Sequence, residues 1–131
     1  MLTGAATAVL IYWMTRRLCR GPYGIVPALF YTLLSIPLWP ATNHQWDSNL
    51  FALLAFGAYL LWQDSKGLRY LFLAGLIAGL TSCFIQQKGL FMLFAFLGNE
   101  LWKGLRSLEE KSEIALRMAV PLSGYAGIGA W

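Results

Sequence analysis

Long apolar segments, cut only by short polar turns, run through this chain from end to end, a pattern that points to helices packed side by side. The segments cover residues 2–14, 23–39, 48–62, 70–85, 89–102 and 115–131. Measured against the roughly 20 residues that carry a helix across a bilayer, they give five or six candidate spans. Hydrophobic residues make up 58% of the chain and charged residues 12%, half the charged share of an ordinary soluble domain. The fold class this predicts is all-α: a polytopic integral membrane bundle of five to six transmembrane helices, forming one incomplete domain over residues 1–131. The first segment reads as the tail of a helix that begins upstream, and the last as the start of a run that the chain end cuts off.

The punctuation fits that expectation. Pro27 and Pro37 lie in the second segment, where a membrane helix tolerates them if neighbours satisfy the freed carbonyls. Trp39-Pro40 stops that segment, and Trp13, Trp39, Trp62 and Trp102 are expected as interfacial belt residues. Gly75 and Gly79 have the Gly-x-x-x-Gly spacing that lets a second helix approach closely. Glu100 is expected at an interface beside Lys103, because a charge at mid-bilayer is costly.

Basic residues set the orientation, since they accumulate in cytoplasmic loops. Arg16, Arg17 and Arg20 fall in one turn, Lys66 and Arg69 in another, and Lys103, Arg106, Lys111 and Arg117 in a third. These turns alternate onto one side and hold nine of the ten basic residues. The expectation is an integral protein of a bacterial inner membrane, with the loops near 16–20, 64–69 and 103–114 cytoplasmic. Nucleic acid is excluded as a partner: the net charge of +4 is scattered among apolar runs and does not form a basic stripe. Cys19 and Cys83 make neither a disulfide framework nor a metal motif.

Two polar clusters then share the opposite side: Asn43-His44-Gln45-Trp46-Asp47-Ser48-Asn49 and Gln86-Gln87-Lys88-Gly89. Lys88 is the tenth basic residue and starts a helix, where the macrodipole disfavours a cation. It is a candidate point charge for a phosphate or carboxylate, or else a lysine that snorkels from a helix end. Asp47 is an N-cap candidate, or a carboxylate for a substrate hydroxyl, a metal ion or Lys88. His44 stands three residues earlier, but a pair of ligands falls short of the three or four that zinc or manganese needs. Gln86 and Gln87 carry amides suited to sugar hydroxyls, or to a plain helix boundary. No nucleophile elbow, phosphate loop or Cys-x-x-Cys is present.

The order of these parts resembles the membrane glycosyltransferases of the GT-C superfamily, in particular the dolichyl-phosphate-mannose protein mannosyltransferase and aminoarabinose transferase type. The likeness lies in the Asp47-x-x-Leu50 helix start and in Ala74-Gly75-Leu76-Ile77-Ala78-Gly79-Leu80-Thr81 running into Gln87-Lys88-Gly89-Leu90. Where the family usually has Thr-Lys-Gly, this chain has Gln87-Lys88-Gly89. The resemblance implies an enzyme that moves a sugar from a polyprenyl-phosphate carrier to a protein or lipid glycan acceptor on the outer side of the membrane. It implies membrane lipid as a partner and leaves a divalent metal open as a requirement. Lys88 would stabilise the leaving phosphate, and Asp47, His44 and Gln87 would line the substrate site. The principal catalytic acid of the family lies in a large outer loop after the first membrane helix. This chain has no such loop, so the catalytic carboxylate is expected outside the segment, and the segment alone is expected to be inactive. The competing readings are a small transporter and a non-enzymatic assembly subunit that uses the Gly75/Gly79 face as its partner surface.

Overall fold

The computed structural model describes residues 2–19, 22–38, 44–107 and 111–129. Six helices follow one another: α1 (Leu2–Cys19), α2 (Ile25–Leu38), α3 (His44–Ser65), α4 (Leu68–Phe84), α5 (Gln86–Ser107) and α6 (Lys111–Gly129), with a single 3-10 turn at Pro22–Gly24 ahead of α2. Several run past the apolar segments that seed them. The basic Thr15–Cys19 stretch continues α1, and α5 takes in Lys103 and Arg106. Helix propensity is not confined to apolar residues: Arg, Lys, Gln and Glu are good helix formers, so the polar turns shrink to a few residues.

No helix among the described residues is both long and apolar enough to cross a membrane, which overturns the expected transmembrane bundle. Length and apolarity part company along the chain. The two most apolar helices, α2 and α4, have 14 and 17 residues, roughly 21 and 26 Å at 1.5 Å per residue against a hydrocarbon core of about 30 Å. The longer helices reach their length by including ionic residues: Arg16 and Arg17 in α1, Asp47 and Asp64 in α3, and Lys88, Glu100, Lys103 and Arg106 in α5. In α6 they are Lys111, Glu113 and Arg117, with Pro121 as a further interruption. The integral inner-membrane location and the cytoplasmic loops inferred from it are withdrawn with the spans.

Helix α4 is the hub. It packs against α3, α5 and α6, while α1 packs against α2 and α3. Small residues make this possible: Ala74, Gly75, Ala78 and Gly79 are all buried along α4. A Cβ on Gly75 would lie 2.1 Å from the Pro121 carbonyl oxygen, and one on Gly124 would lie 2.5 Å from the Phe72 carbonyl oxygen. The two backbones therefore touch, as the Gly-x-x-x-Gly spacing predicts, and the occupant of that surface is α6 of the same chain. The core proper lies where α3, α4 and α5 meet, around Ala55, Ala58, Tyr59, Trp62, Leu71, Ala74, Ala78 and Phe96. Trp62, expected at an interface, is a core residue, with 2% of its surface exposed. Two buried hydroxyls are satisfied locally: Thr7 and Thr81 donate to the Thr3 and Ile77 carbonyls four residues back.

Candidate functional site

The corner between α4 and α5 is a single extended residue, Ile85, whose amide bonds back to the Thr81 carbonyl at 3.0 Å. Its own carbonyl accepts from the Lys88 amide at 3.1 Å, which closes the first turn of α5. So tight a corner presses α5 onto the end of α4. A Cβ on Gly89 would lie 2.1 Å from the Ser82 Oγ and 2.3 Å from the Ala78 carbonyl oxygen, so glycine is needed there. With Gly89 turned inward, the neighbouring Lys88 reaches α3, where its Nζ donates to Asn49 Oδ1 at 2.7 Å. The start of α3 is held against the same corner by Phe51 stacked on Phe84, with ring centroids 5.3 Å apart.

The two polar clusters of the sequence therefore meet through Asn49 and Lys88, and Asp47, for which Lys88 was one of the alternative partners, does not make that contact. Lys88 forms no ion pair among the described residues. Helix α3 begins at His44, which makes Asp47 a first-turn acid instead of an N-cap. It is half-buried, and its carboxylate faces the favourable end of the helix dipole. Ser48, between Asp47 and Asn49, is fully buried, and its hydroxyl has no hydrogen-bond partner among the described residues. Gln86 and Gln87 are exposed in the first turn of α5. The His44 backbone belongs to α3, whereas its side chain, and all of Asn43, lie outside the described residues. No three His, Cys, Asp or Glu side chains gather among the described residues. Both described cysteines are free and exposed.

A second polar cluster lies near the opposite end of α3 and α5. Glu100, expected at an interface, is buried with 3% of its surface exposed. The Tyr59 hydroxyl donates to its Oε1 at 2.5 Å and the Trp62 Nε1 at 3.2 Å. Lys103 Nζ stands 3.9 Å from the same oxygen, and the Asn99 amide donates to the Tyr59 hydroxyl at 3.0 Å. Burial raises the Tyr59 pKa above its ordinary value, and the hydrogen bond and charge of Glu100 raise it further. Burial likewise lowers the Lys103 pKa; Glu100 opposes the shift, and Lys66 and Arg117 add to it. Every named contact runs between α3 and α5 or within α5, so this cluster serves as a polar clasp in the core.

Sequence reasoning missed Asn49 and the clasp. Asn49 sat in the cluster around Asp47, yet nothing in a linear reading marks its amide as the partner of a lysine 39 positions later. Glu100 is preceded by Asn99 inside an apolar segment, a polar pair that is the only linear sign of a buried site. No protein-family model, curated protein or solved structure matches the chain. The likeness to the GT-C transferases therefore rests on the motif residues themselves.

Proposed function

We propose that this chain provides the phosphate-binding part of a glycosyltransferase that draws its sugar from a polyprenyl-phosphate carrier and passes it to a protein or lipid glycan acceptor. One observation carries the reading: Lys88, a cation in the first turn of α5, is held by the neutral amide of Asn49 and has no carboxylate partner among the described residues. A lysine so placed is oriented by its partner and open to an incoming anion. When the bond between the anomeric carbon and the carrier phosphate breaks, negative charge grows on the leaving phosphate, and a fixed ammonium beside it lowers the barrier. The Asn49 carbonyl oxygen fixes the direction of Nζ without cancelling its charge. Gln87, exposed one residue before Lys88, supplies an amide for sugar hydroxyls. Asp47 stands in the first turn of α3, beside Asn49, and adds a carboxylate to the same end of the helix. The carboxylate that deprotonates the acceptor is assigned to none of these residues.

The test is binding of a short-chain polyprenyl phosphate, with the matching alcohol as reference, followed by calorimetry on the purified protein in a neutral detergent. Lys88→Ala is expected to weaken phosphate binding at least tenfold and to leave alcohol binding unchanged, because a charge-assisted bond is worth roughly 1.5–3 kcal/mol. Lys88→Arg should retain most of the affinity. Equal phosphate affinity in wild type and Lys88→Ala would reject the assignment.

A further inference from the structure

Helix α5 is apolar on two faces, one packed into the bundle and one turned outward. Gly89, Leu93, Phe96, Glu100 and Gly104 face inward and are buried. Leu90, Phe91, Phe94, Leu101, Trp102 and Leu105 face outward and are 41–73% exposed. They recur at helical spacing and form one continuous apolar stripe along a helix of 22 residues. A helix bathed in water on that side would carry polar residues there in place of Phe91, Phe94 and Trp102.

The described residues at the bundle end where this stripe finishes carry surplus positive charge. Lys66, Arg69 and Arg106 have no carboxylate partner among the described residues, whereas the described acids of that end are engaged. Asp64 pairs with Arg17, Glu113 pairs with Arg117, and Glu100 is buried. The surplus cations lie over aromatic rings: Arg106 stands 4.8 Å from the Trp102 centroid, Arg69 4.8 Å from Tyr70 and Lys66 5.6 Å from Trp62. An outward apolar stripe that ends in a tryptophan covered by an arginine suits a helix lying in a lipid interface. There, the rings enter the acyl boundary and the guanidinium stays among the headgroups.

We propose that the outward face of α5 docks on an anionic lipid surface, lying on it without crossing it, with Arg69 and Arg106 on the headgroups and Phe91, Phe94 and Trp102 in the acyl boundary. The proposal is independent of the Lys88–Asn49 site and uses none of its residues. Charge complementarity selects this occupant: the cations without a carboxylate partner among the described residues lie at the bundle end where the stripe finishes, and there a lipid headgroup layer supplies the anions and its acyl boundary accepts the rings.

The experiment is flotation of the full chain with vesicles of phosphatidylcholine alone and with about 30% phosphatidylglycerol, in low salt. Binding is expected to be at least tenfold stronger to the anionic vesicles. The Arg69→Gln/Arg106→Gln double variant should lose roughly 30-fold on those vesicles, about fivefold per charge. Phe91→Ser/Phe94→Ser should lose binding to both kinds with its helical circular dichroism intact. Should that variant not fold, wild-type fluorescence quenching by bromine-labelled acyl chains provides the same decision. A component of the quenching must vanish in Trp102→Phe, and unchanged quenching overturns the proposal. Equal binding to neutral and anionic vesicles overturns it as well. So does a wild-type dimer that Phe91→Ser/Phe94→Ser converts to monomer without any vesicle binding, because that result assigns the stripe to a second copy of the chain.

Discussion

Gly75→Ala adds one methyl group where the backbones of α4 and α6 touch, and its cost follows from the geometry. The new carbon would lie 2.1 Å from the Pro121 carbonyl oxygen and 2.7 Å from its Cα and carbonyl carbon, whereas ordinary contact begins near 3.4 Å. All three atoms are backbone, so no side chain can rotate away, and α6 would have to retreat by about 1.3 Å. Retreat also loosens the Gly79 contact with Tyr125 and the Gly124 contact with Phe72. Overpacking of this kind costs about 1–3 kcal/mol, and the upper end applies to a rigid neighbour. Alanine returns up to about 1 kcal/mol through its better helix propensity, which leaves a net loss of about 2 kcal/mol. Gly98→Ala is the matched control: it lies in the interior of α5 with nothing within 4 Å of the new Cβ. There only the propensity gain operates, so the protein should become more stable by about 0.5–1 kcal/mol. Thermal unfolding followed by circular dichroism in one buffer reads both, with Gly75→Ala melting roughly 6–10 °C below wild type and Gly98→Ala a few degrees above. A Gly75→Ala protein as stable as wild type, or the same shift in both variants, would refute the backbone contact between α4 and α6.

Three further outcomes follow from the clasp and the surface. Glu100→Ala should lower stability by about 2–3 kcal/mol, because the Tyr59 hydroxyl and Trp62 Nε1 lose their acceptor in the core. Glu100→Gln keeps an acceptor oxygen and should cost less than half as much; equal urea midpoints for the two variants would contradict the clasp. The raised Tyr59 pKa means that the unfolded chain releases this proton near its ordinary value of about 10, while the folded chain still holds it. The stability contribution is therefore complete below pH 10 and falls as pH rises beyond it. Tyr59→Phe should flatten that alkaline loss in denaturant midpoints, and the absorbance titration should lose its last tyrosine. Asp64→Ala removes the Arg17–Asp64 pair, whose side chains are 35% and 57% exposed, and should change stability by less than about 1 kcal/mol in a melting experiment.

The helical class and the α4 packing surface were legible because both depend on local pattern: apolar runs at helix length and a Gly-x-x-x-Gly spacing. The spans were misread because mean apolarity was assigned to uninterrupted segments. In the folded chain Lys88, Glu100, Lys103 and Arg106 belong to the same helix as Phe91 and Phe94. The neighbourhood of Lys88 was half legible. Its position at a helix start could be read from the preceding glutamines, but its Asn49 partner depends on the Ile85 corner and the Phe51–Phe84 stack, which are products of tertiary packing. Glu100 was placed at an interface beside Lys103 because a charge at mid-bilayer is costly, whereas its closer partners, Tyr59 and Trp62, come from 41 and 38 residues upstream.

The bare contact between α4 and α6 also sets an order of events during synthesis. Forty-six positions separate Gly75 from Pro121, the residue that covers it. At roughly 5–20 residues per second a ribosome needs about 2–9 s to make that stretch. Over that interval the glycine face of α4 is exposed on the nascent chain, open to any small-residue surface that reaches it first. The faithful assembly of this bundle thus depends on α6 arriving before a rival, and a slow codon run between the two helices would lengthen the wait.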